Sequence, residues 1–148
     1  METFETFINI FRRAALERNG NDLRSILEDG HKYFRDISSD DTETILAELF
    51  NSDYGLLFFL NSELARMTSQ KTFDMAMKEA FGFLKFIMEQ FNHVLSKFEI
   101  YLTNIKSTCS LAIISSSFNV QKAAAIAYIK FVEIFHRNYT FVEEVETL

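Results

Sequence analysis

The chain has 148 residues, the length of a single domain, and 48% of them are hydrophobic, which is enough to bury a core. It contains no Pro, no Trp and only four Gly, and so few turn-forming residues argue against an all-β fold. The net charge of −6 and the lack of any stretch rich in Lys and Arg argue against nucleic acid as a partner.

The chain has no sign of export or of membrane insertion. Its single cysteine, Cys109, excludes an intramolecular disulfide and fits a reducing compartment. The start of the chain lacks the basic and apolar regions of a secretory signal, and no apolar run approaches the ~18 residues of a membrane span. We therefore expect a soluble, intracellular protein.

The first part of the chain predicts two helices. Apolar side chains at helical spacing predict an amphipathic helix over residues 3–18. After a polar break, Asn21 or Asp22 is the predicted N-cap of a second helix that extends to Phe34. These first 50 residues carry 11 acidic and 6 basic side chains, a net charge of −5. The excess could attract a basic ligand, although a solvated acidic face is the simpler interpretation.

The third helix and the turn after it are the most informative part of the sequence. The polar residues 38–41, Ser-Ser-Asp-Asp, are predicted to cap the third helix, with Asp40 and Glu43 in capping-box spacing. A turn at residues 53–55 then separates it from Leu56–Met67, whose first turns are almost wholly apolar. Such a helix is typical of the centre of an all-α bundle.

The remaining apolar pattern predicts further helices. The pattern over residues 73–105 is long for one helix, so we expect a break near Asn92 or near Asn104. Serines then separate a last helix, predicted from Val120 to about Arg137. The sequence thus predicts one domain over residues 1–148, an all-α compact bundle of six to eight helices around a central apolar helix.

No catalytic or metal-binding motif is present in the sequence. His31, His93 and His136 lack a His or Cys at the spacing that builds a metal site on a helix. A Cys109–His93 pair in space is one alternative, but a buried structural thiol is the better interpretation. The acidic residues 40–43 lack the spacing of a calcium loop and fit helix capping. We expect no cofactor, no metal and no enzymatic activity.

The 17 phenylalanines are the remaining candidates for function. Phe usually belongs to the core, but this number exceeds what a compact core of this size needs. Some of the rings are therefore predicted to line a groove that accepts another helix.

Short motifs resemble the B-cell-lymphoma-two family of apoptosis regulators, especially its divergent viral members. In that family a helix ending in Glu-Leu-Phe is followed by Asn-Trp-Gly-Arg and by an apolar central helix with Phe-Phe. Here residues 48–50 are Glu-Leu-Phe, residues 53–56 are Asp-Tyr-Gly-Leu, and Phe58 and Phe59 follow. Leu therefore stands at position 56 where the family has Arg, and the family's Trp-rich second motif is missing.

An upstream motif of the same family, Leu-x-x-x-Gly-Asp, has two similar registers in this chain. The register at residues 16–23 keeps the small residue but loses an apolar anchor. The register at residues 23–29 keeps the apolar anchors and loses the Gly. We prefer the second register because it leaves room for a separate first helix.

The resemblance implies an inhibitor of apoptosis that binds the amphipathic death-motif (BH3-type) helix of a pro-apoptotic protein. It also implies a place in the cytoplasm, that of the host cell for a viral protein, with peripheral association at mitochondria. The groove would be walled by the second, third and central helices: Leu23, Ile26, Leu27, Phe34, Leu46, Phe50, Tyr54, Gly55, Leu56, Phe59 and Arg66. Because Leu56 replaces the Arg that pairs with the ligand's aspartate, charge should contribute less than usual to recognition.

The alternative hypothesis is a structural or self-assembling helical protein with a Phe-rich oligomer interface, such as that of a homodimer. A monomer with an open groove would favour the first hypothesis, and an obligate oligomer the second. An enzyme whose active residues converge from distant positions is the least favoured interpretation.

Overall fold

The computed structural model describes residues 3–34, 37–51, 53, 55–66, 71–115 and 117–136. Within these ranges every regular element is helical and no strand occurs, which confirms the all-α prediction. Eight α-helices and one 3₁₀ turn follow in chain order: α1 (Phe4–Leu16), α2 (Gly20–Glu28), the 3₁₀ turn (Gly30–Phe34), α3 (Ser39–Phe50), α4 (Leu56–Arg66), α5 (Lys71–Gln90), α6 (Asn92–Leu95), α7 (Glu99–Ser115) and α8 (Phe118–Phe135).

The central helix of the bundle is α5. It packs chiefly against α2 and α8, and it also contacts α4 and α6. Its inward side mixes small and large apolar residues, six of which are fully buried: Ala76, Ala80, Phe81, Leu84, Ile87 and Met88. The alanines allow close approach of neighbouring helices, because interaxial distance depends on the side chains at the contact.

The prediction that Leu56–Met67 is the central helix is wrong. The corresponding helix, α4, packs mainly against α7 and α3. Its first turns are buried except for Phe58, which is 51% exposed, and its second half is polar. An 11-residue helix with one apolar side covers the core from outside, whereas the 20-residue α5 crosses it. Met67 lies outside the described residues.

The second helix differs from its prediction at both ends. Its N-cap is Asn19, whose Oδ1 accepts a hydrogen bond from the Asp22 backbone N–H at 3.1 Å. The predicted caps, Asn21 and Asp22, therefore lie in its first turn. The helix ends at Glu28, so the predicted continuation to Phe34 is a 3₁₀ turn instead.

Close packing on α5 explains why the chain turns at Gly30. A Cβ atom at this position would lie 2.7 Å from Cε2 of Phe83 and 3.3 Å from Cε2 of Phe7. Any larger residue would push the 3₁₀ turn away from α5. The missing side chain thus allows Phe34, which is 1% exposed, to enter the core.

The later boundaries agree better with the sequence. The chain breaks between α5 and α6 beside Asn92, as predicted, while α7 continues through Asn104. The last helix begins at Phe118, two residues before the predicted Val120, and Arg137 lies outside the described residues. In the third helix the N-cap is Ser38, the first residue of the predicted capping run, and Asp40 lies in the first turn.

Most of the phenylalanines belong to the core. Among the 16 Phe residues of the described ranges, only Phe58 and Phe118 are largely exposed. Rings from α1, the 3₁₀ turn, α5 and the N-cap of α6 contact one another in an aromatic cluster: Phe4, Phe7, Tyr33, Phe34, Phe83, Phe86 and Phe91. The abundance of Phe is therefore explained by core packing, in this cluster and elsewhere in the bundle.

Arg18 fixes the corner between α1 and α2. It adopts a positive φ of 52°, a conformation that is strained for a residue with a Cβ atom. Its guanidinium donates to Glu63 Oε1 at 2.6 Å and lies 4.4 Å from the centre of the Phe73 ring. These contacts with α4 and α5 offset the local strain and tie the first helix pair to the rest of the bundle.

Candidate functional site

A cleft of about 420 Å³ opens at the surface between α2, the 3₁₀ turn and α5. We call it the α2–α5 cleft. Seven residues line it: Leu27, Glu28, His31, Glu79, Gly82, Phe83 and Phe86. The set combines an apolar floor with a polar rim, as in sites that bind a partner with a few oriented polar contacts.

The wall contributed by α5 follows from helical spacing. Glu79, Gly82, Phe83 and Phe86 stand at i, i+3, i+4 and i+7, so they share one side of the helix. Gly82 opens this side, since a Cβ atom built there meets no heavy atom within 4 Å. A glycine inside a helix destabilises it by about 0.5–1 kcal/mol relative to Ala. Packing against neighbouring residues therefore does not explain why position 82 is Gly.

The floor of the cleft is held by the aromatic cluster. Phe83 is only 4% exposed, and its ring centre lies 5.1 Å from that of Phe7 and 5.5 Å from that of Phe34. Phe86 is partly buried and stacks on Phe83 at 6.1 Å. Rings packed from several sides cannot easily change rotamer, so the floor is a preformed apolar surface.

The rim of the cleft is acidic. Glu28 is 48% exposed as a side chain, and its nearest cation is Arg24, with Nε 3.6 Å from Oε1. Glu79 is partly buried and forms no ion pair with any described residue. The rings of His31 and Phe86 lie in a T-shaped arrangement, with their centres 6.3 Å apart. Two carboxylates beside an apolar floor favour a ligand that is apolar and cationic.

The groove predicted from the sequence is not open in the structure. Eight of its residues are buried by the protein's own packing: Leu23, Ile26, Leu27, Phe34, Leu46, Phe50, Leu56 and Phe59. Of these, Leu27 also borders the α2–α5 cleft. The apolar pattern that suggested a groove wall is thus explained by contacts within the bundle, because a core helix and a groove-lining helix present the same periodicity.

Gly55 faces its own chain. A Cβ atom there would clash with the backbone carbonyl oxygens of Glu48 and Leu49, the latter at 2.6 Å. Its φ is not positive, so the position requires Gly for space and not for backbone conformation. Gly55, which the resemblance placed in the groove wall, therefore lies against the end of α3.

The last two predicted groove residues contribute little to a site. Arg66 is exposed at the end of α4, and its Nε lies 3.6 Å from Glu63, which already pairs with Arg18. It does not reach the α2–α5 cleft. Tyr54 lies outside the described residues.

The described residues offer little to support catalytic or metal chemistry. Cys109 is fully buried, and burial raises the pKa of its thiol to about 12, so it is not an activated nucleophile. His93, its hypothetical partner, is exposed on α6. Within the described ranges no three His, Cys, Asp or Glu side chains converge as metal ligands. None of the helices found there is both long and apolar enough to cross a membrane.

One feature of the sequence, the glycine at position 82, indicates the cleft. A lone Gly inside a strongly helical pattern lowers helix stability, and it indicates a packing or binding reason for its presence. Gly82 is such a residue, and the residues that share its side of the helix form the α5 wall. Glu28 and His31 could not be assigned to the cleft from the sequence, because their position depends on how the end of α2 and the 3₁₀ turn pack on α5.

No protein-family model, curated protein or solved structure matches this chain at a significant level.

Proposed function

We propose that this protein is a non-enzymatic binding protein that holds an amphipathic helix of a partner protein in the α2–α5 cleft. The observation that carries the proposal is the open space over Gly82, beside the packed rings of Phe83 and Phe86. The proposal keeps the class of function that the resemblance implies, which is helix capture. It moves the site from the α2–α3–α4 region to the surface between α2 and α5.

The dimensions of the cleft suit a short helical contact. The α5 wall runs from Glu79 to Phe86, which at 1.5 Å per residue is about 10 Å, or two helical turns. A partner helix of this length presents apolar anchors at i and i+3 or i+4 to such a surface. Affinity would come from covering the exposed part of the Phe86 ring and from the charges on the rim, because Leu27 and Phe83 are already buried by the protein's own packing.

The charges on the rim select the partner. Glu28 and Glu79 would attract a Lys or Arg that flanks the apolar anchors, since among the described residues Arg24 pairs with Glu28 and no ion pair involves Glu79. A death-motif helix instead brings an aspartate, which these two carboxylates would repel. We therefore expect the preferred ligand to be a basic amphipathic helix.

Inhibition of apoptosis through a death-motif helix is the second candidate. One observation favours it, namely that Leu27 belongs both to the groove implied by the resemblance and to the cleft. This candidate predicts that peptides with the death-motif aspartate bind at least as well as basic peptides.

Calorimetric titration of two Gly82 variants tests the site. Gly82→Trp should fill the cleft and weaken binding of a basic amphipathic peptide at least tenfold, about 1.4 kcal/mol. Gly82→Ala is the matched control, because it adds one methyl group to open space and should bind like the parent. A stably folded Gly82→Trp protein that binds as tightly as the parent would exclude the cleft as the site.

A panel of peptides tests the ligand. The parent protein should bind a basic amphipathic peptide more tightly than the same peptide with its Lys residues changed to Glu, and Glu79→Lys should reverse this preference. Preference for death-motif peptides would instead support the second candidate. If none of these peptides binds, the proposed function is wrong.

A further inference from the structure

The outer side of α8 carries an exposed surface that is separate from the α2–α5 cleft. Seven residues of α8 and its C-cap are exposed: Phe118, Asn119, Lys122, Ile126, Ile129, Glu133 and His136. From Asn119 onward their spacing alternates between three and four residues. Residues at this spacing share one side of a helix, with Ile126 and Ile129 at its centre and polar residues at its ends, so we call them the α8 seam.

The seam is symmetric about its centre. Ile126 and Ile129 lie at equal distances on either side of the midpoint between Ala127 and Tyr128, and Lys122 and Glu133 do the same. Two such helices in antiparallel orientation can therefore place identical residues in equivalent positions. This is the condition for a two-fold interface, in which each copy supplies the same surface.

We propose that two copies of this chain associate through antiparallel pairing of their α8 seams. Ile126 of each copy would face Ile129 of the other, and Lys122 would face Glu133. The side chains of Ile126 and Ile129 are 45% and 58% exposed, so the pairing removes apolar surface from water at its centre.

Charge favours a second copy as the occupant of the seam. Lys122 forms no ion pair within the described part of the chain, and Glu133 stays 60% exposed although Lys130 lies 3.2 Å from it. Antiparallel pairing gives two Lys–Glu contacts, whereas parallel pairing would put Lys on Lys and Glu on Glu. These contacts also offset the repulsion between two chains of net charge −6.

Sedimentation equilibrium of the full chain tests the pairing. The parent protein should associate reversibly from 17.3 kDa to twice that mass as its concentration rises. Lys122→Glu and Glu133→Lys should each weaken association about tenfold, since each change places like charges at both contacts. Lys97→Glu, at an exposed position between α6 and α7, controls for the change in net charge.

Mixing the two single variants gives the sharpest result. The chain with Lys122→Glu carries two acids on its seam and the chain with Glu133→Lys carries two bases, so the mixture should associate about tenfold more tightly than either variant alone. Melting temperatures would show that both variants are folded, as expected for exposed positions. A parent protein that stays monomeric at millimolar concentration, or single variants that associate as well as the parent, would overturn the proposal.

Discussion

Neighbouring phenylalanines in α4 provide a direct test of the packing. Phe59 is 6% exposed, and its ring makes an edge-to-face contact with Phe11 at 5.7 Å between ring centres. Phe58 is 51% exposed. Replacing Phe59 by Ala should lower the free energy of unfolding by about 3–5 kcal/mol, of which the contact with Phe11 supplies about 0.5–1.5 kcal/mol. Replacing Phe58 should lower it by only about 1 kcal/mol, because about half of this ring already lies in water.

Circular dichroism measures both variants: urea unfolding gives the free energy of unfolding, and thermal unfolding gives the melting temperature. For a chain of this length each kcal/mol shifts the melting temperature by about 2–4 °C, so Phe59→Ala should melt about 6–20 °C below the parent protein. Phe58→Ala is the matched control, because it makes the same chemical change one position earlier in the same helix. A loss below about 1 kcal/mol for Phe59→Ala, or equal losses for the two variants, would contradict the orientation of α4.

Three further predictions concern glycine positions and the buried thiol. Gly55→Ala should destabilise the protein by about 1–3 kcal/mol, because the added methyl group meets backbone oxygens of α3. Gly82→Ala should stabilise it by about 0.5–1 kcal/mol, since the same methyl group enters open space beside a helix. Equal changes in the free energy of unfolding for Gly55→Ala and Gly82→Ala, measured by urea unfolding, would refute both explanations. Burial raises the pKa of Cys109 from 9.0 to about 12, so the native state keeps a proton that the unfolded state loses. The contribution of the protonated thiol to the free energy of unfolding is therefore complete below pH 9 and is lost as the pH rises toward 12. The free energy of unfolding of Cys109→Ala, measured over the same pH range, should not show this fall.

The class of fold and most helix positions could be predicted from the sequence. Apolar spacing near 3.6 residues identified the helices, and the polar residues around Asn92 and Ser117 marked real boundaries. These features depend on neighbours along the chain, which is why a single sequence reveals them. The ends of α2 were predicted less well, because its N-cap had several polar candidates and its C-terminal end depends on the contact between Gly30 and Phe83.

The place of each helix in the bundle was decided by tertiary structure. Leu56 and Phe59 are as apolar as a central helix requires, yet α5 occupies the centre because it presents a longer buried side with Ala76 and Ala80 at its contacts. The same holds for the candidate site. Periodicity shows which residues avoid water, but whether they meet their own chain or a partner depends on how helices distant in sequence pack together. The sequence by itself therefore determined an all-α chain with amphipathic helices, whereas packing closed the predicted groove and left the cleft over Gly82 open.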